Sequence, residues 1–275
     1  MPSLPRSIPP AALLSELGID TPEDIDIEAI AQHCGATIVY APLVGCEARI
    51  IGYGERAIIT INRASSPERK RFSAGHELGH WSNDRGKSIL ACTENQLSEW
   101  FADNPERRAN RYAADLLLPA RMFLPRAENQ PVTFATVASL AGIFRTSITS
   151  TAIRLVEQGS LPSMILCSDG KGRKWFTRSA ILPDTLWPHE VLGRTTTAFE
   201  LHRNPSAIPP GPVVLDASHW INHPKARHYV VTEDSIRVNS GLVLTLLWWE
   251  DEQQLLDLAD EDEQDESDQD PFDFA

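Results

Sequence analysis

Arg71-Phe72-Ser73-Ala74-Gly75-His76-Glu77-Leu78-Gly79-His80-Trp81 is the stretch on which the reading of this chain turns. Inside it lies His76-Glu77-Leu78-Gly79-His80, two histidines four residues apart with a glutamate after the first. On a helix, positions i and i+4 share one face about a turn apart, so both imidazoles reach a single zinc ion. Glu77 then projects near the open side of that ion, where it takes a proton from water and delivers it to a leaving amine. The flanking residues predict such a helix. Ser65-x-x-Glu68 fits a capping box, Pro67 stands in the first turn where its missing N–H costs nothing, and the helix runs to about Ser82. The plain alternative is a polar helix face carrying two satisfied histidines.

A catalytic zinc needs a third protein ligand and an open fourth position. No histidine follows at the HExxHxxGxxH spacing, so an acidic residue on a following helix is expected instead. That helix has Asn104 as cap, Pro105 at its first position and Pro119 just past its end. Glu106, in its first turn, fits best; Glu94, Glu99 and Asp103 compete with it. Small residues at Ala109, Ala113 and Ala114 let this helix approach the first one closely. A glutamate at a helix start also complements the helix dipole without binding anything. Cys92, twelve residues past His80 in the loop joining the two helices, is a candidate inhibitory fourth ligand, because a thiolate binds zinc well. Read plainly, it is a half-buried thiol, as Cys34, Cys46 and Cys167 are expected to be. Arg69, Lys70, Arg71, Arg107, Arg108 and Arg111 flank both helices, with Arg85 and Lys87 between them. They are candidates for contacts with a nucleic-acid backbone or an acidic stretch of substrate, or else they are solvated faces.

Outward from the motif, residues 1–20 read as a loose arm with a short apolar patch from Ala11 to Leu17. Asp24–Cys34 reads as a helix stopped by Gly35. Ala36–Ala41, Ala48–Tyr53 and Ala57–Ile61 read as strands of a small antiparallel meander. Beyond Pro131, Phe134–Phe144 and Ser147–Gln158 read as a helical pair ended by Gly159. From about Ser163 the pattern changes to short strands: Met164–Cys167, Lys174–Thr177, Val213–Asp216, His228–Thr232 and Leu242–Trp249. The class is α+β.

Composition removes several alternatives. The longest apolar run, Gly241–Trp249, is far short of the ~18–20 residues that span a bilayer, and prolines interrupt the first ten residues, so neither a membrane protein nor a secreted one is expected. Four cysteines without a CxxC pair argue against a disulfide scaffold or a zinc ribbon, and for the cytoplasm. The formal charge is −13, but residues 250–275 hold thirteen acidic side chains and no Lys or Arg. The remaining chain is balanced, so the acidity belongs to a tail that reads as low-complexity and disordered.

Arg71 to Trp81 resembles the active-site helix of ImmA/IrrE-type metallopeptidases. The segment Glu106-x-x-Ala109-Asn110-x-Tyr112-Ala113-Ala114-x-Leu116-Leu117-x-Pro119 resembles that family's second hallmark, and Ile58–Asn62 its lead-in strand ending in Asn. The likeness covers about residues 24–160. It implies a zincin-like minimal metallopeptidase domain over 1–125, with a small antiparallel sheet and active-site helices. A helical, helix-turn-helix-like connector would cover 126–162, an α+β sensor-like domain, GAF-like in some relatives, 163–249, and the acidic tail 250–275. It implies His76, His80 and Glu106 as metal ligands and Glu77 as general base. Zn2+ is the expected ion, with Mn2+ as the variant. The implied substrate is a repressor of helix-turn-helix type, cut once to relieve repression of a DNA-damage, stress or phage-defence operon. Single-stranded DNA or another damage signal would be the activator. The rival expectation is a non-catalytic metal-containing regulator, or an antitoxin-like protein, that binds DNA or a repressor without cutting it. Intact Glu77 argues against that rival.

Overall fold

The computed structural model describes residues 8–84, 104–238, 241–251 and 253–258. Two compact units are distinguished. One comprises the chain up to Arg126 together with Ser139–Thr151; the other comprises Ala127–Ala138 and the chain from Ala152 onward.

In the first unit, α1 (Pro10–Glu16) and α2 (Ile27–His33) precede three strands, β1 (Ala36–Ala41), β2 (Ala48–Tyr53) and β3 (Arg56–Asn62). The long α3 (Pro67–Asp84), α4 (Pro105–Leu117) and α5 (Ala120–Ala127) follow. Within the expected loose arm, Pro10–Glu16 is anchored, because α1 buries Leu13 and Leu14 and packs on α4. Helix α2 is shorter than expected and starts later. Asp26 accepts hydrogen bonds from Glu28 N and Ala29 N, which fixes its N-terminus. Gly35 then turns the chain into β1 at φ 80°, where an added Cβ would stand 2.6 Å from the Glu55 carbonyl oxygen.

The sheet is mixed rather than an antiparallel meander. Its order is β1-β3-β2, with β1 parallel to β3 (Ala36↔Ala57 to Ala41↔Asn62) and β2 antiparallel to it (Ala48↔Ile61 to Tyr53↔Arg56). The physical reason lies in β3, whose Ala57, Ile59 and Ile61 are all buried, so it takes the centre and leaves β1 and β2 as edges. The stretch from Pro42 to Glu55 is long enough for the crossover that a parallel pair requires.

Helix α3 lies against this sheet, α2 and α4. Its cap is Ser66 rather than Ser65: Ser66 Oγ accepts from Arg69 N at 3.2 Å, while Ser65 bonds the Glu47 carboxylate. Pro67 takes the first helical position, as expected. From Ser73 to Trp81 every residue but His76 is buried, so this part of α3 is the central element of its unit. Trp81 donates to the Cys34 carbonyl at 2.8 Å and lies so close under β2 that a Cβ at Gly52 would meet its ring at 2.5 Å.

Helices α6 (Phe134–Phe144) and α7 (Ile148–Gln158) form where the sequence predicts them, with Ser147 Oγ capping α7 at Ser150 N. One division between the units falls after Arg126, close to the expected start of the connector, and others pass through both helices, so the pair is shared between the two units.

The second unit is built on an antiparallel sheet of order β5-β4-β8-β7-β6, made of β4 (Ser163–Asp169), β5 (Gly172–Arg178), β6 (Val213–Asp216), β7 (Val230–Val238) and β8 (Leu242–Trp248). Met164, Leu166, Leu186, Trp220, Leu247 and Trp249 centre its core. The short α8 (Thr197–Arg203) gives little apolar periodicity in sequence and is fixed by tertiary bonds. The buried Glu233 carboxylate accepts from Thr197 N and Ala198 N at its start, and also from Trp220 Nε1 and Ser235 Oγ. The ordered body also extends past the expected start of the tail. Residues 253–258 are helical, and Leu255 and Leu258 enter the core. The rest of the acidic tail lies outside the described residues.

Candidate metal centre

Helix α3 presents His76 and His80 on one face, and α4 brings Glu106 to meet them. His76 Nε2 lies 3.2 Å from Glu106 Oε2, His80 Nε2 lies 3.4 Å from Glu106 Oε1, and the two Nε2 atoms are 3.1 Å apart. The two rings stand edge to face at 79°. Among the described residues, these three side chains form a group able to hold a metal ion. Their spacing fits one ion well, since tetrahedral ligands at about 2.0 Å from zinc are about 3.3 Å from one another.

The approach of α4 is set by small residues on both sides. A Cβ on Gly79 would lie 3.0 Å from Ala109 Cα and 3.0 Å from Tyr112 Cβ; one on Gly75 would lie 3.3 Å from Ala113 Cα. Gly75, Gly79, Ala109 and Ala113 thus let the helix backbones nearly touch. Asn104 Oδ1 accepts from Glu106 N at 2.8 Å and Pro105 follows the cap, so the turn that carries Glu106 is fixed by its own sequence. Of the candidates for the third position, Glu106 joins the histidines; Glu94, Glu99 and Asp103 lie outside the described residues, as does Cys92.

Burial separates the roles. The His80 side chain is 1% exposed, His76 13% and Glu106 29%, so the cluster opens on the Glu106 side. Glu77 is itself buried at 1% exposure, beside His76 on the same helix. Burial, then the neighbouring His80, lowers the His76 pKa, against the opposing pull of Glu106 and Asn110. The neutral imidazole that results is the form that ligates a metal. His76 Nδ1 lies 2.9 Å from Asn110 Oδ1, a contact that sequence reasoning passed over. The signal was available: Asn110 is four residues after Glu106 and so shares its helix face.

The basic residues do not form one uniform set. Arg69 is exposed near the Glu47 carboxylate, and Lys70 lies over the Tyr40 ring, 5.9 Å from its centroid. Arg71 turns inward: Nη1 donates to the Ile25 carbonyl at 3.1 Å, and Nε and Nη2 are buried with no hydrogen-bond partner among the described residues. Its guanidinium is thus directed toward the protein rather than standing free in solvent. On α4, Arg107 and Arg111 are exposed, Arg111 near Asp115, and Arg108 is half-buried. Arg85 and Lys87 lie outside the described residues.

A small α+β unit with a histidine pair on its central helix and a glutamate from the next helix is an arrangement that could hold a metal ion, as metallopeptidases require. Residues 31–156 match the profile of the peptidase M78 family, the IrrE N-terminal-like domain. This segment of the chain is similar to the ImmA/IrrE-type metallopeptidases. The radiation response metalloprotease IrrE of Deinococcus radiodurans is 31% identical over 122 residues, 42% of this chain and 36% of that protein. The match thus spans about a third of that relative's length. A solved Mycobacterium tuberculosis transcriptional regulator shares the fold, with a TM-score of 0.54 at 18% identity over 87% of this chain and 85% of that one. Among the described residues, no helix is long and apolar enough to cross a membrane.

Proposed function

We propose that this protein is a regulated zinc metalloendopeptidase that makes a site-specific cut in a partner helix-turn-helix repressor, relieving repression of a stress, DNA-damage or phage-defence operon. The observation that carries the hydrolytic part is the convergence of His76 Nε2, His80 Nε2 and the Glu106 carboxylate, with Glu77 beside it on α3. Two imidazoles and one carboxylate suit zinc better than manganese, which prefers an octahedral oxygen set. When bound there, zinc acts as a Lewis acid toward the scissile carbonyl and toward a water molecule. Glu77 takes the proton from that water as it attacks the carbonyl carbon. The same carboxyl group then gives the proton to the amine as the C–N bond breaks, which returns Glu77 to its starting state. Strands β1 and β2 are both sheet edges, so an extended substrate segment can add to either as a further strand.

The substrate rests on family likeness rather than on the metal site. The activating signal, single-stranded DNA or another damage signal, is a proposal of the same kind; so is the assignment of the second unit as a sensor. The cytoplasm, where a repressor is found, is the matching compartment.

The test incubates wild type and Glu77→Gln with the helix-turn-helix repressor encoded beside this gene. Wild type should yield two fragments, and Glu77→Gln should retain zinc while losing cleavage by about 100-fold or more. Equal binding by both proteins, with no fragments from either, would instead support a non-catalytic regulator.

A further inference from the structure

We infer that Asn110 is the positioning residue of the metal centre: it fixes the ring orientation and tautomer of His76 so that Nε2 faces the ion. The inference rests on the metal-centre reading above and assigns a role to a residue that neither the HExxH motif nor the ligand set includes. His76 has two nitrogens, and only one can face Glu106 and His80. Nε2 does so, at 3.2 and 3.1 Å. Nδ1 lies on the other side of the ring, 2.9 Å from Asn110 Oδ1. An amide oxygen can only accept, so Nδ1 is the nitrogen that carries hydrogen, and Nε2 is left with its lone pair directed into the cluster.

The placement of Asn110 makes this an arrangement of one helix. Glu106 and Asn110 stand one turn apart on α4, so a single rigid element supplies both the third ligand and the group that orients the first. Asn110 is exposed, and its loss opens no cavity in the core. The oriented acceptor is neutral, unlike the carboxylate that often plays this part, so it holds the ring without adding charge to a group that already contains Glu106.

Two replacements separate orientation from bulk. Asn110→Leu keeps the volume and removes the acceptor, whereas Asn110→Asp keeps an acceptor. Zinc affinity is measured by competition with a chromogenic chelator, and the His76 tautomer by long-range proton–nitrogen NMR on the metal-free protein. Asn110→Leu should bind zinc about 10–100-fold more weakly and populate both His76 tautomers, and Asn110→Asp should restore affinity and the Nδ1–H form. Wild-type affinity in Asn110→Leu, or equal losses in both variants, would overturn the role of Asn110 while leaving the metal centre intact. A wild-type protein that binds no zinc would instead overturn the metal-centre reading, and this inference with it.

Discussion

His76, Glu77 and Arg71 sit within two turns of one helix, yet they differ in how far a sequence can describe them. The histidine pair is legible because i and i+4 spacing follows from helix geometry alone. Glu106 is legible only as one of several acidic residues, because its selection depends on where a second helix crosses the first. The setting of Arg71 is not legible at all, because a charged residue beside a motif is ordinarily solvated, whereas here the guanidinium is drawn to the Ile25 carbonyl. Burial and the nearby Arg145 lower its pKa below the ordinary arginine value. At this scale the decisive variant is Glu106→Gln, which keeps the side-chain shape and removes the charge. Zinc retained after dialysis against a chelator should fall by more than the about 10–100-fold expected for an outer-shell partner. Undiminished retention would remove Glu106 from the ligand set.

Between helices, glycine and alanine decide what charge cannot. Gly75 and Gly79 lie inside a helix, where glycine costs roughly 0.5–1 kcal/mol relative to alanine. That cost is offset by the close packing of α4 against α3, which brings Glu106 to the histidines. Gly79→Ala should therefore destabilise the protein by about 1–3 kcal/mol rather than stabilise it, because the new methyl meets Ala109 and Tyr112 at 3.0–3.1 Å. Chemical denaturation would reveal the sign. A stabilised variant would mean that the helices part easily and that the ligand geometry is not held by their contact. The sheet teaches a related lesson. Strand positions follow from composition and turns, but the parallel pairing of β1 with β3 follows from which strand buries most of its inner face.

The second unit carries a titration that neither motif nor composition suggests. Adjacent residues of β7 are buried on opposite faces: Glu233 accepts four hydrogen bonds, and Asp234 Oδ2 accepts from Phe134 N at 2.7 Å. Burial raises the Asp234 pKa, and the Phe134 bond only partly opposes it. The folded state therefore keeps this proton to higher pH than the unfolded state does. Its contribution is most favourable below the ordinary aspartate value of 3.8 and is lost as pH rises through the raised folded value. Asp234→Asn should flatten that part of the denaturant midpoint against pH, an expectation that an unchanged slope would defeat. The fused helical pair matters here as well. Because α6 and α7 are divided between the units, a peptidase fragment cut near residue 160 would leave Leu155 and Val156, buried in the whole protein, without the unit they belong to.

The sequence by itself determined the HExxH helix, its glutamate, the capped helix that follows, and the α+β division between a motif-bearing part and a strand-rich part. These depend on neighbours within about a turn of helix or a strand's length, so local spacing and capping chemistry suffice. Only the tertiary structure decided which carboxylate meets the histidines, that Asn110 stands behind His76, that Arg71 is turned inward and that the sheet is mixed. Each of these is a contact between segments distant in the chain, made by close packing that small residues permit and that no local pattern encodes.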